Sequence, residues 1–409
     1  MTENDWQDLA IRAGEVFTPA APIDAASLFA GRIAQLRQVV DAVSQKGQHA
    51  IIFGERGVGK TSLANIISTK LTAPRVLAPR INCDTSDTYS SMWKKMFEQI
   101  TLTQEIRGIG IGASTTEETM TLAKQLGRNI APEDVRQTLA RLSSQSVPIL
   151  IIDEFDRIRD AKVRATIADT IKTLSDHAIA ATIVLVGVAD SVTELIEQHQ
   201  SVERALMQIH MPRMSNEELR EIIEKGMQVL DMVIESNAKE EIANLSLGLP
   251  HYTHALALQA VRAAADSKSH SVTLRHVEVA IETALQLADQ SIRTAYHRAT
   301  TSVRKDTIFS HVLLACALAR TDDLGYFAAG DIREPLREIT GKTYNIPNFA
   351  PHLYAFCGNV RGPILQQMGI SYRNRYRFLN PLMQPYIVMQ GKAKGLIGKE
   401  PTPSAPPML

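Results

Sequence analysis

At 409 residues with 44% hydrophobic content, the chain can support two or three cores, which disfavours a single-domain reading. Its 44 Lys and Arg balance 44 Asp and Glu, so it lacks the basic balance of a dedicated nucleic-acid binder. Cys83, Cys316 and Cys357 lie far apart without C-x-x-C spacing, and no long apolar span or N-terminal signal occurs. Neither a disulfide framework nor a zinc site is indicated, and a soluble, cytoplasmic protein is expected.

The first informative element is the short apolar run His49–Phe53, which reads as a strand and leads directly into Gly54-Glu55-Arg56-Gly57-Val58-Gly59-Lys60-Thr61. This is the complete phosphate-binding signature G-x-x-x-x-G-K-[ST]. Ser62 onward continues with apolar residues at helical spacing, the context such a loop requires. The glycines let the backbone N–H groups turn inward around phosphate oxygens, Lys60 reaches the outer phosphates, and Thr61 supplies a hydroxyl to Mg²⁺. ATP and Mg²⁺ are the expected cofactors. Residues 75–83 read as a second strand and 87–100 as a helix carrying Trp93, Met96 and Phe97 on one face. Residues 101–131, with Gly108, Gly110 and Gly112, read as a long loop inserted before the helix 132–144, either a contact loop or a surface excursion.

Pro148 to Asp153 is a continuous apolar run ending in Asp153-Glu154, the pattern of a strand buried on both faces of a parallel sheet. Its C-terminal end should face the nucleotide crevice, with Asp153 in the Mg²⁺ shell and Glu154 placed to polarise an attacking water. A phosphate loop, an Asp-Glu strand about 95 residues later and Phe29-Ala30-Gly31-Arg32 upstream resemble an AAA+ ATPase. Within that superfamily the chain is most similar to the initiator branch of origin-recognition and helicase-loading ATPases and to bacterial relatives in transposition and phage defence. The implied fold class is α/β: a parallel-sheet P-loop NTPase core, a helical lid and a C-terminal winged helix.

The resemblance carries further residues. Leu28 to Arg32 corresponds to the motif near the adenine, and Phe17-Thr18-Pro19 to an outer wall of the base pocket. After the strand 181–187 the family places a polar sensor, for which this chain offers Asp190 or Ser191. Arg204 matches an arginine that reaches the ATP of the next subunit, with Arg213 as the fallback; the competing reading of Arg204 is an ion pair with Glu203. Such a finger implies a head-to-tail homo-oligomer. From Ser215 a capping box with Glu218 opens the lid helices. At Gly248-Leu249-Pro250-His251 the initiator sensor arginine is replaced by His251. The Gly-Leu-Pro instead resembles the lid motif of STAND signalling ATPases, whose proline, here Pro250, packs on the adenine. His251 and His254 share a helical face, yet without a third ligand they read as ordinary polar or core residues.

The last region contains helices near 303–319, 332–339 and 346–356, then strands 364–369 and 375–379, the order of a winged helix. Residues 301–409 carry 13 Lys or Arg against 7 Asp or Glu, so this portion is +6 and the first 300 residues −6. Arg361, Arg373, Arg375 and Arg377 are placed to clamp a DNA backbone, or else line the solvent face of a strand. The expected domains are 1–214 for the ATPase core, 215–300 for the lid, 301–395 for the winged helix and 396–409 for a proline-rich tail. Two functions survive. One is an ATP-hydrolysing AAA+ protein that assembles on duplex DNA and recruits or regulates a partner protein. The other is a STAND-like nucleotide switch in a signalling or defence complex without direct DNA binding.

Overall fold

The computed structural model describes residues 2–22, 30–70, 75–107, 115–188, 200–301, 308–369 and 374–397, with the backbone alone at 103–107, 115–118 and 200–201. The chain forms two compact units. One comprises Pro22–Gly54 and Gly59–Met211; the other comprises Met1–Ala21, Glu55–Val58 and Pro212–Leu409.

The first unit is built on strands β1 (His49–Phe53), β2 (Val76–Leu77), β3 (Arg80–Asn82), β6 (Val147–Asp153), β7 (Thr182–Gly187) and β8 (Leu206–His210), with β4 (Thr101–Arg107) and β5 (Thr115–Thr121) apart from them. The six-stranded sheet is parallel throughout, with the path β2-β6-β7-β1-β8 and β3 also pairing β6. Helices Lys60–Lys70, Tyr89–Glu98, Pro132–Leu142 and Ala161–Asp176 supply the covering layers. The sequence dictates this burial: all six residues of β7 and the last six of β6 are buried, as continuous apolar runs require inside a doubly covered sheet. Trp93 stacks on Phe97 at 5.4 Å within the core, and the Tyr89 and Thr170 hydroxyls meet at 2.7 Å, so this buried polar pair is satisfied. Because β7 lies between β1 and β6, the phosphate loop and the acidic pair leave the same sheet edge two strands apart.

The segment 101–131 differs from the loop read in the sequence. β4 and β5 form an antiparallel hairpin in register from Thr101↔Thr121 to Arg107↔Thr115, followed by a 3₁₀ turn Leu122–Gln125. The Gly108–Gly112 run drew attention to turns, whereas the threonine-rich flanks have the β-branched composition that favours strands. Residues 108–114 lie outside the described residues.

In the second unit, helices Asn216–Leu230, Ser236–Ser246, Pro250–Asp266 and Leu274–Leu287 form the lid bundle. The capping box is present: Ser215 Oγ accepts from Glu218 N–H, and Glu218 Oε2 accepts from Ser215 N–H at 2.9 Å. The helix Glu3–Val16 belongs to this bundle and not to the sheet unit, contrary to the expected 1–214 boundary. Its Trp6, Leu9, Ala13 and Val16 fall on one helical stripe and are buried. Phe17, at its end, packs so closely that a Cβ on Gly226 would lie 2.2 Å from the ring. Phe17 is therefore a core anchor of the lid, 1% exposed, and not an open wall of a base pocket.

Helix Gln290–Thr300 follows the lid helices, and the last part has helices Phe309–Leu318, Arg333–Thr340 and Ile346–Cys357 with a three-stranded antiparallel sheet. That sheet orders Phe327–Ala328, Arg375–Phe378 and Leu365–Met368, with the middle strand paired to both others. This arrangement is consistent with a winged helix. A final helix, Met383–Ala393, packs on the lid helices. All three cysteines are free thiols. No helix among the described residues is long and apolar enough to cross a membrane.

His254 is 5% exposed, and neither ring nitrogen has a hydrogen-bond partner. Burial lowers its pKa to about 4, so the native ring is neutral while the unfolded ring takes up a proton near 6.5. The stability it permits is present above the unfolded value and is lost as pH falls toward 4. His254→Leu should therefore keep roughly 3 kcal/mol more of its stability between pH 7 and 4 than the parent, measured by denaturant unfolding.

Candidate functional site

β1 delivers the phosphate loop. Met211 N–H donates to Phe53 carbonyl at 2.7 Å, bringing the chain after β8 against the loop's first residue. A Cβ on Gly54 would sit 2.3 Å from the Met211 carbonyl oxygen, so only glycine fits there. Lys60 Nζ donates back across the loop to the Gly54 carbonyl at 3.0 Å. Thr61 and Ser62 follow in the first turn of the helix Lys60–Lys70, whose N-terminal end has the inward N–H groups that bind anions. Among the loop's inner residues Val58 is fully buried and Arg56 exposed.

At the end of β6, Asp153 is 2% exposed. Its Oδ1 accepts the Glu154 N–H at 2.8 Å, while Oδ2 is buried without a hydrogen-bond partner and lies 3.5 Å from Arg80 Nη2. Burial raises the Asp153 pKa; the Glu154 N–H, Arg80 and the adjacent Thr61 hydroxyl act in the opposite direction. A buried carboxylate oxygen left open beside a threonine hydroxyl is the donor set a hard dication prefers, so Thr61 and Asp153 fit Mg²⁺. Glu154 has φ 55°, in the left-handed region, which turns its side chain out of the strand direction. That side chain is half-exposed and pairs with Arg157 at 2.9 Å.

Arg80, Asn65 and Asn82 were not singled out in the sequence. Arg80 Nη1 donates to Asn65 Oδ1 at 3.1 Å and Nη2 to Asn82 Oδ1 at 3.2 Å, with Asn82 in register opposite Asp153. The available signal was the period of two in Arg80-Ile81-Asn82, which puts both polar side chains on one face of a strand beside β6.

In the other unit the loop residue Glu55 is held on several sides. Arg213 Nε donates to its Oε2 at 2.5 Å and Nη2 to its Oε1 at 3.2 Å. The same Nη2 donates to Gln384 Oε1, and Nη1 to the Leu247 carbonyl at 3.3 Å. Gln384 is 3% exposed, and the Arg213 and Glu55 side chains are largely buried. A turn organised by Asp322, whose Oδ1 accepts from Leu324 and Tyr326 N–H, presents Gly325 so closely that a Cβ would lie 2.1 Å from Glu55 Oε1. Arg213, the fallback for a trans-acting arginine, is thus committed within its own chain.

Pro250 opens its helix at the first position and is buried. His251 has Nδ1 2.9 Å from the Pro19 carbonyl oxygen. Among the described residues no group of three or more His, Cys, Asp or Glu could hold a metal. Arg32 is buried and left-handed at the start of its helix, while Leu28 and Phe29 lie outside the described residues. Asp190 also lies outside them. Arg204 is exposed on the 3₁₀ turn Gln200–Ala205, anchored by buried Val202 and Ala205.

The described terminal arginines differ in their partners. Arg361 donates to the Ala299 and Thr301 carbonyls at 3.1 and 2.8 Å and lies 3.7 Å over the Phe309 ring. Arg377 donates to Gln366 Oε1 at 3.0 Å and sits 4.8 Å over Tyr326. Arg375 is exposed and pairs with Asp322, and Arg373 lies outside the described residues.

A family model described as Novel STAND NTPase 1 matches residues 21–303, more than half of the chain. This chain belongs to that family. It is an enzyme of the P-loop ATPase class, as the paired phosphate-loop and Asp-Glu motifs led one to expect. A search of curated protein sequences returns no match for this STAND NTPase. Among solved structures it is similar to the ORC2 protein of Aeropyrum pernix, determined in ADPNP and ADP complexes, at 14% identity with a TM-score of 0.51, covering 93% of this chain and 98% of that one. It is equally similar to a Walker-type ATPase of Pyrococcus abyssi, at 14% identity with a TM-score of 0.50, covering 90% and 98%. The α/β P-loop fold expected from the motifs is thus shared by this STAND NTPase with these two solved structures.

Proposed function

We propose that the protein is a nucleotide switch that binds and hydrolyses ATP with Mg²⁺ and passes its nucleotide state to a partner protein. The observation that carries this reading is the bonding of Glu55, inside the phosphate loop, to Arg213, which in turn donates to Gln384 of the last described helix. A loop that must reshape around phosphates is thereby tied to a residue just before the lid and, through it, to one in the last described helix. Thr61 and Asp153 would hold the metal, which would screen the phosphate charge; Lys60 orients the outer phosphates, and Glu154 polarises the attacking water. Pro250 packs on the base, Asp190 serves as the polar sensor, and Arg204, exposed on its turn, serves an adjacent protomer in a head-to-tail assembly. The site is cytoplasmic in this reading.

The switch reading is favoured over assembly on duplex DNA because Arg361 and Arg377 are engaged inside the domain. Arg375, exposed on the strand, supports a DNA contact as the second reading.

Release of a fluorescent ADP separates these ideas. Removing one hydrogen bond to a charged, largely buried group costs about 1.5–3 kcal/mol. Gln384→Ala and Glu55→Gln should therefore speed release by about tenfold. Unchanged release in both variants would remove the basis of the switch, and release in the parent that responds to duplex DNA in a salt-dependent way would favour the DNA reading.

A further inference from the structure

Among the described residues Arg80 is the cation placed against the buried oxygen of Asp153, and the nucleotide site as read above gives it no role. Its guanidinium is fixed at two points, by Asn65 on the helix that follows the phosphate loop and by Asn82 on its own strand. The third direction points at Asp153 Oδ2, 3.5 Å away, beyond hydrogen-bond reach but within ion-pair distance. The Arg80 side chain is 15% exposed and Asp153 2%, so solvent screens the pair weakly.

We propose that Arg80 is a resident counter-cation that competes with the divalent ion for Asp153, so that the metal is taken up together with nucleotide phosphates and not before them. This deepens the reading of the same site, since it rests on Asp153 as the metal residue. The buried carboxylate needs a compensating charge whether or not nucleotide is bound. Arg80 supplies it at a distance that leaves Oδ2 without a hydrogen bond, and its two asparagine anchors keep the guanidinium from closing on the oxygen. A dication arriving alone meets both a neutralised carboxylate and a nearby like charge. One arriving with phosphates brings its own anionic ligands and overcomes that repulsion. Arg80 is thus a positioning residue: it sets the order in which charge enters the site and touches no reacting atom.

The test is Mn²⁺ binding to nucleotide-free protein, followed by electron paramagnetic resonance, with folding checked by circular dichroism. Arg80→Gln keeps a polar side chain for the asparagines and removes the charge. It should bind Mn²⁺ about tenfold more tightly than the parent, as loss of a nearby like charge requires. Arg80→Lys retains the charge and should bind Mn²⁺ as the parent does. If glutamine is not tolerated at the buried position, Arg80→Met repeats the measurement with an apolar substitute. Equal or weaker Mn²⁺ binding in the neutral variants overturns the competition. Asp153→Asn, titrated with Mn²⁺ in the presence of ATP, tests the underlying assignment separately. Unchanged affinity there would remove Asp153 from the metal site. Affinity that depends on Asp153 but is indifferent to Arg80 would overturn the present inference alone.

Discussion

Lys60→Ala is expected to abolish nucleotide binding at micromolar concentrations, a weakening of at least about 100-fold, while the protein stays folded. The lysine is partly buried and donates across the loop to Gly54, so its ammonium is already held at the phosphate cradle. Packing is carried by its neighbours: Val58, Leu63 and Ala64 are fully buried. Loss of the ammonium removes one or two charge-assisted hydrogen bonds to phosphate, each worth roughly 1.5–3 kcal/mol. The backbone N–H groups alone cannot replace a full positive charge against a polyanion. Isothermal titration with ATP, alongside thermal unfolding of the free protein, measures both parts. Binding within tenfold of the parent would mean that phosphate recognition lies elsewhere.

Much of this was legible in the sequence because it was local. The phosphate loop is eight consecutive residues whose glycines and lysine act through the backbone that joins them. The buried strand Val147–Asp153 announces itself by a continuous apolar run, and the lid's first helix by Ser215 and Glu218 three residues apart. Strand types, their parallel arrangement and the helical second half all follow from periodicity of this kind. The hairpin at 101–121 did not, since a glycine run is read as a turn before its flanks are tested for pairing.

What the sequence concealed is long-range charge pairing. Glu55 meets Arg213 across 158 positions, and Arg213 meets Gln384 across 171, distances at which no spacing rule operates. Arg213 read as the fallback for an arginine reaching the next subunit; in the fold it makes four hydrogen bonds, to a carboxylate, an amide and a carbonyl. Arg361 illustrates the same limit in reverse. As a residue type it advertises phosphate, yet two backbone carbonyls and the Phe309 ring account for its position. A guanidinium satisfied in the interior and one offered to a partner look alike until their neighbours are known.

Glu154→Gln should slow ATP hydrolysis by roughly 10²–10⁴-fold, the range a positioned general base contributes, while leaving ATP affinity within a few-fold of the parent. The substitution is nearly isosteric, and the left-handed backbone at φ 55° makes no demand that glutamine meets less well than glutamate. The ion pair lost with Arg157 is about half-exposed on both sides, so stability should move by less than about 1 kcal/mol. Lys60, Thr61 and Asp153 remain to hold the nucleotide, which is why binding and turnover separate in this variant and fall together in Lys60→Ala. Single-turnover hydrolysis and ATP binding, measured on the same preparation, give the two quantities. Retained turnover would show that another group activates the water. A collapse of ATP binding would show that Glu154 supports the loop instead of the chemistry. If ATP also drives head-to-tail assembly, the Glu154→Gln protein should remain assembled after ATP addition while the parent disassembles as it turns over. Arg204→Ala mixed with Glu154→Gln should then recover activity at those hybrid interfaces where the Arg204→Ala protomer supplies the intact glutamate and the Glu154→Gln protomer the intact arginine.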